Sequence, residues 1–237
     1  DGESVTFAIT KVTKAIDWKY MPQPVDNQSE IEVPFGEGYF WQLPVTVPQA
    51  NVTYDAAISG KYLWIASWAG GLRRFDLSQS LRRPQNIPMP MDWQGALSTC
   101  QDSAYIDTVS LVTGDPISVL KDYYLNPRDP GDGGNHNPFS VLAYDDKIWV
   151  GTANGINKGL IIDEVTQISD TEFDILSCIE WVHYKWPEKN ISGNFVVALA
   201  KQVWNNQVTI WAATVSAGEN EIQGLSYSRD DGGSWNK

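Results

Sequence analysis

The chain is poor in the residues that catalysis and metal binding most often use. Of its 237 residues, two are histidine and two are cysteine. His136 and His183 are not spaced as a zinc pair. Cys100 and Cys178 are too far apart for a metal-ligand pattern and too few for a disulfide framework. One disulfide between them and two buried thiols both remain open. Positive charge is scarce too, with 17 Lys and Arg against 29 Asp and Glu and a formal net charge of -12. That excludes nucleic acid and anionic membranes as partners, since both need clustered Lys and Arg, and it suits solubility outside the cell. No apolar run is long enough to span a bilayer, so no membrane insertion is expected. There is no initiator Met and no signal peptide, and Asp1 reads as a processed or internal start. No long segment has helical apolar spacing, and only Ser78–Leu81 weakly suggests a helix. No Gly-rich phosphate loop and no serine nucleophile elbow is present.

Aromatic residues are abundant, with 11 Trp and 10 Tyr, and such side chains favour half-buried sheet surfaces. Short alternating or β-branched runs, split by Gly, Asn, Asp and Pro, read as strands. They are Val5–Thr10, Ala56–Ser59, Leu63–Ser67, Leu72–Asp76, Ser140–Tyr144, Ile148–Thr152, Phe195–Ala200, Thr209–Thr214 and Gly224–Ser228.

Three segments repeat one pattern: strand, polar turn, a strand of apolar–Trp–apolar–small–Ser/Thr, then a third strand, Gly-led. They run from Ala57 to Leu72, from Leu142 to Ile156, and from Leu199 to Tyr227 with a longer turn and an insert. Trp64, Trp149 and Trp211 occupy the same place in each. The small residue after each Trp permits close approach of a neighbouring sheet. Trp64 and Trp149 lie about two periods of ~40–45 residues apart, the length of a propeller blade. The expectation is therefore an all-β propeller of four-stranded antiparallel blades, with Trp64, Trp149 and Trp211 as blade-core residues. A degenerate blade is expected between the first two, centred near Tyr105–Thr108 within Ala96–Leu120. An insertion at Asp163–Cys178 would account for the longer step to Trp211. A second Trp series, Trp93, Trp181 and Trp235, with Trp18 as an earlier member, marks the start of each outer strand. Core packing between blades explains these rings better than exposed sugar stacking.

The stretch Ser228-Arg229-Asp230-Asp231-Gly232-Gly233-Ser234-Trp235 resembles the Asp box, or BNR repeat, Ser-x-Asp-x-Gly-x-Ser/Thr-Trp, at Ser228, Asp230, Gly232, Ser234 and Trp235. The resemblance implies a secreted bacterial Asp-box β-propeller of the sialidase-like superfamily. In that family the box joins the third and fourth strands at the rim, away from the axis, and marks the fold rather than an active site. The wider stretch from Phe139 to Trp235 is similar to secreted bacterial propellers, and Tyr54–Asp76 is so to a lesser degree. Residues 1–53 match no pattern and are read as N-terminal strands or an irregular segment. Residues 54–237 are read as about four blades. The chain stops where a fourth strand is expected, which suggests an incomplete propeller or a fragment of a larger one.

Sialidases share an arginine triad, a Tyr/Glu nucleophile pair and an acid Asp. This chain has six arginines, Arg73, Arg74, Arg82, Arg83, Arg128 and Arg229. Four form adjacent pairs, Arg229 lies inside the box, and the Arg-Ile-Pro signature is absent, so the sialidase catalytic set is not expected. A propeller glycosidase would need two facing carboxylates, for which Asp107, Asp145, Asp146, Asp163, Glu164 and Glu180 are available; Asp145-Asp146 fit a tight turn better. The loop from Asn126 to Pro138 is rich in oxygen donors and glycine. If it wraps Ca²⁺, Asp129, Asp132 and Asn135 are the ligands; otherwise it is a solvated connection, and no other cofactor is expected. The functional expectation is a non-catalytic extracellular or cell-surface module for binding, adhesion or assembly, with protein or polysaccharide partners. A glycosidase or polysaccharide-binding protein, and a structural subunit of an extracellular assembly, are the alternatives.

Overall fold

The structure is a computed structural model. It describes residues 52–68, 70–77, 85–87, 89–90, 92–98, 134–167, 173–216 and 218–237, together with short strands at 31–35, 38–42, 105–109 and 116–120. The described residues form sixteen strands: β1 (Ile31–Phe35), β2 (Gly38–Gln42), β3 (Thr53–Ser59), β4 (Tyr62–Ser67), β5 (Gly71–Asp76), β6 (Gln85–Asn86), β7 (Ala96–Ser98), β8 (Tyr105–Val109), β9 (Pro116–Leu120), β10 (Pro138–Tyr144), β11 (Lys147–Thr152), β12 (Gly155–Gln167), β13 (Phe173–Tyr184), β14 (Phe195–Trp204), β15 (Gln207–Val215) and β16 (Gly224–Ser228). A 3₁₀ turn covers Gly134–His136, and the described residues contain no α-helix. The chain is all-β. Residues 1–30, Ser78–Leu81, Arg82, Arg83, Arg128, Asp129 and Asp132 lie outside the described residues.

Three antiparallel sheets follow one another in chain order: β3-β4-β5-β6, then β10-β11-β12-β13 with β7 added at its outer edge, then β14-β15-β16. In each, a two-residue turn joins the first two strands. The first turn residue has positive φ: Gly60 at 55°, Asp145 at 50° and Asn205 at 48°. Gly, Asp and Asn tolerate that conformation, and such turns match the twist of paired strands. The three repeats keep one register. Trp64 lies between Ala57 and Arg74, Trp149 between Leu142 and Lys158, and Trp211 between Ala200 and Tyr227.

The sheets pack face to face, β3 and β4 against β10, and β10 and β11 against β14. One core cluster forms between the first and second sheets around Trp64, Val141, Ile148, Val150 and Trp181. The other forms between the second and third around Trp149, Tyr184, Val196, Ile210 and Trp235. The indole N–H groups of Trp64, Trp181 and Trp235 are buried without an acceptor. These rings are therefore held for the area they bury, roughly 150–250 Å² each. Gly151 is a point of close approach between the second and third sheets. A Cβ there would lie 2.8 Å from Val196 Cγ1 and 2.8 Å from the Val196 carbonyl oxygen.

Several expectations need correction. No sheet stands between those of Trp64 and Trp149, because β3 touches β10 directly and the amide of Val141 donates to Asp55 Oδ2 at 2.9 Å. The segment expected to form that blade divides its pairing: β7 extends the second sheet against β13, and β8–β9 form a separate two-stranded hairpin. The expected insertion at Asp163–Cys178 is the far part of a long hairpin, with β12 and β13 paired from Ile156↔Tyr184 to Gln167↔Phe173. Trp93 starts no outer strand; it lies in a turn and is 73% exposed. Trp64 and Trp149 are fully buried, whereas Trp211 is only half-buried because its sheet face looks outward. Cys178 is disulfide-bonded.

Candidate functional site

The turn after β16 is built by its own side chains. Asp230 Oδ1 accepts from the Ser234 amide at 2.8 Å and from Ser228 Oγ at 2.9 Å, and Asp230 Oδ2 accepts from Ser234 Oγ at 2.6 Å. Ser228 Oγ in turn accepts from the Gly232 amide at 2.8 Å. Hydrogen bonds from Ser234 and Ser228 hold the Asp230 carboxyl down to about 2. Gly232 has φ +91°, and a Cβ there would meet Tyr184 Oη at 2.5 Å. Trp235 then packs edge-on to Trp149 at 6.1 Å and to Tyr184 at 5.9 Å. Asn236 bridges Tyr227 with reciprocal backbone bonds of 2.7 and 2.9 Å. Asp231 docks the turn on the second sheet through Lys158 at 2.6 Å and Lys147 at 3.0 Å. Burial works against the Asp231 charge, but the hydrogen bonds from the two lysines outweigh it and lower its pKa. Every partner of this turn is structural.

Most of the other candidate residues are likewise committed. Asn135 is fully buried and forms a reciprocal amide pair with Asn157 at 2.9 and 2.8 Å. Its Nδ2 also donates to the Pro90 carbonyl, and its Oδ1 accepts from Thr152 Oγ1. Both lone pairs of that oxygen are occupied within the protein. Among the described residues no cluster of three His, Cys, Asp or Glu side chains could hold a metal. Asp92 accepts from the amides of Gly134 and Asn135. Asp145 and Asp146 are exposed in the β10–β11 turn. His183 is buried, with ring nitrogens 3.0 and 2.6 Å from the carbonyls of Gln94 and Asn154. His136 is also buried, and burial lowers its pKa. The Arg74 guanidinium lies over the rings of Tyr62 and Trp64, Arg73 is buried, and Arg229 lies over Tyr227.

A different group stands out where the three first strands begin. Tyr54, Phe139 and Phe195 lie at the starts of β3, β10 and β14, and Trp68 follows β4. Their rings form one cluster. Phe139 is 4.5 Å from Phe195, 5.0 Å from Trp68 and 5.2 Å from Tyr54, and Trp68 is 6.3 Å from Phe195. Phe139 is buried, Trp68 and Phe195 are half-buried, and Tyr54 is 53% exposed. All three sheets contribute, so the platform exists only in the packed structure. Each of these first strands carries an irregularity in its pairing near the cluster, at Tyr54, Phe139 and Val197. Bulges of this kind re-aim side chains at sheet ends. The neighbouring Asp55 carboxylate is fixed by the amides of Val141 and Ala56. The ring planes are tilted 39–71° to one another, so what the cluster offers outward is the Tyr54 ring, with Trp68 and Phe195 half-buried beside it. Sequence reading missed it; the one available signal was an aromatic residue near the start of each repeat.

The fold and site define an all-β protein of serially packed antiparallel sheets with an aromatic cluster where the first strands of the three sheets begin. No family model matches the sequence, and no curated protein matches it. Among solved structures it is similar to the extracellular domain of the putative hybrid two component system BT3049 from B. thetaiotaomicron, at 16% identity and a TM-score of 0.29. That match covers 78% of this chain and 22% of the other. No helix among the described residues is long and apolar enough to cross a membrane.

Proposed function

We propose that the chain is a non-catalytic extracellular binding and assembly module, an open Asp-box propeller whose blades are the three sheets, and that it takes a neutral polysaccharide on the aromatic platform. The convergence of Tyr54, Trp68, Phe139 and Phe195 from all three sheets carries this reading. The blade reading is supported by the chain-order succession of antiparallel sheets with their first strands adjacent, and by the Ser228–Trp235 turn between β16 and the bridge at Asn236. Binding is favoured over hydrolysis at the cluster because the acid beside it, Asp55, is tied to the amides of Val141 and Ala56. A net charge of -12 disfavours anionic ligands, which makes uncharged glycans the fitting class.

Affinity electrophoresis and calorimetry against a panel of neutral and acidic polysaccharides test this. A neutral glycan should retard the chain, and Tyr54→Ala and Trp68→Ala should each weaken that retardation at least tenfold. Failure of every neutral glycan to bind, or undiminished binding by both variants, refutes it.

A further inference from the structure

His183 lies one residue beyond the paired part of β7 and β13, and its ring is enclosed by two other segments. Its backbone amide donates to the Gly95 carbonyl at 2.9 Å. Its Nδ1 lies 3.0 Å from the Gln94 carbonyl oxygen, and its Nε2 lies 2.6 Å from the Asn154 carbonyl oxygen. The residue is buried. A carbonyl oxygen has lone pairs and no proton, so it can only accept. A neutral imidazole donates from one nitrogen and presents a lone pair at the other, whereas an imidazolium donates from both. The neutral ring would therefore set a lone pair against a carbonyl oxygen at 2.6 or 3.0 Å. The charged ring satisfies both contacts, and with the stronger, charge-assisted kind of bond.

The two carbonyls belong to segments of unequal firmness. Asn154 sits in the β11–β12 turn, where its amide donates to Thr152 Oγ1 at 3.1 Å and the next amide, of Gly155, donates to the Asn194 carbonyl at 2.6 Å. Gln94 sits in the turn over residues 92–95, which leads into β7, an edge strand of three residues. Short edge elements lie at the low end of local stability. The same turn carries Trp93, which is 73% exposed. We infer that His183 is a proton-dependent clamp: its charged ring ties the turn of Trp93 to the β11–β12 turn, and loss of the proton releases the Gln94 carbonyl while the shorter bond to Asn154 is kept. The clamp is closed on the acid side and opens as pH rises, because the bonds belong to the protonated form. What it controls is how firmly an exposed indole is presented.

Among the described residues, the titratable groups on the surrounding elements are Asp92 in the same turn, His136 in the 3₁₀ turn and Lys185 just after β13. The Asp92 carboxylate accepts from the amides of Gly134 and Asn135, and its negative charge favours the imidazolium. Lys185 Nζ donates to the Asp92 carbonyl at 3.2 Å and lies 3.4 Å from Glu188. From β12 the register places Asn157, which does not titrate, opposite His183. His136 works in the opposite sense. Its pKa is lowered by burial first, and the charge of His183 adds to that. The two histidines therefore divide the roles, one ring held neutral and the other held charged.

Nitrogen-15 NMR of the 237-residue chain, from about pH 5.5 to about pH 8.5 across the ordinary histidine range, is the test. The chain has two histidines, and His136→Gln identifies which ring is which. At the acid end both ring nitrogens of His183 should carry protons, and on titration Nε2 should keep its proton while Nδ1 loses its own. The amides of His183, Gly134 and Asn135 donate to Gly95 and Asp92 of the turn. As the ring loses its proton they should exchange with solvent roughly tenfold faster than hydroxide catalysis alone gives, the scale of one charge-assisted hydrogen bond. The Asn236 amide, bonded to Tyr227 in the third sheet, should follow hydroxide catalysis alone. His183→Gln can donate from one end only and should show the fast exchange at every pH. If that variant does not fold, the coincidence of ring titration and amide exchange in the parent decides alone. A bare ring nitrogen at the acid end, a ring that keeps both protons throughout, titration without change at the three amides, or an acceleration shared by Asn236 overturns the inference. Glycan binding enters none of these readouts, so failure here is distinct from failure of that reading.

Discussion

Replacing Gly151 by alanine adds one methyl group where two sheets touch. The new Cβ would lie 2.7 Å from Ser140 Oγ and 2.8 Å from both Val196 Cγ1 and the Val196 carbonyl oxygen. Favourable carbon contacts lie at about 3.5–4.0 Å. The second and third sheets would therefore have to part by roughly 0.7–1 Å, because the carbonyl belongs to the β14 backbone and cannot rotate away. Overpacking of this kind costs about 1–3 kcal/mol. For a chain of this length 1 kcal/mol moves the melting temperature by roughly 2–4 °C, so a fall of about 4–8 °C is expected at a cost near 2 kcal/mol. Calorimetry or circular dichroism melts, with urea titrations alongside, provide the measurement. Gly95→Ala, where a Cβ meets nothing within 4 Å, is the control and should change little. Adding Val196→Ala to Gly151→Ala should give less than the sum of the two losses, because it removes the Cγ1 clash and leaves the carbonyl one. A Gly151→Ala protein that melts within 1 °C of the parent, by rough allowance for error, would falsify the close-approach argument.

The other expectations concern rings and protons. Trp149→Ala, at a fully buried ring, should cost about 3–5 kcal/mol, and Trp211→Ala distinctly less because its ring is half-buried; equal losses in urea unfolding would contradict the two environments. Asp230 has a folded pKa depressed from 3.8 to about 2. Its contribution is thus present above pH 3.8 and lost as pH falls towards 2. Asp230→Ala should therefore melt lower than the parent at neutral pH, with the gap closing between pH 4 and pH 2; a gap constant across that range counts against it. His136 has its pKa lowered by burial from 6.5, so its neutral form favours the folded state. Stability should decline as pH drops below about 6.5, and His136→Gln should flatten that decline in pH-dependent melts.

What the sequence made legible was local. The Trp-centred hairpins and the Ser228–Trp235 turn are contiguous in the chain, and β4, β11, β15 and β16 lie where alternation and turn residues put them. Gly151, as a small residue after a Trp, was readable as a point of close approach. Spacing misled where the chain departs from one strand per step. The distance from Trp64 to Trp149 suggested another blade, but Ala96–Ser98 pairs with a strand that comes some eighty residues later, and a period cannot reveal that. His183 alternates like a surface residue, yet two carbonyls from other segments enclose it. The aromatic platform depends on three strand starts meeting in space. No linear pattern shows that convergence.

The serial order of the sheets has a consequence for how the molecule opens. Among the described residues the middle sheet is packed between two others, whereas the third sheet leans on one and turns its Trp211 face outward. In such a one-dimensional array fraying starts from the ends and moves inward. Amides along β11 should consequently exchange with deuterium last, long after those of β16, and a protease would trim the array from its tips before it reached the centre.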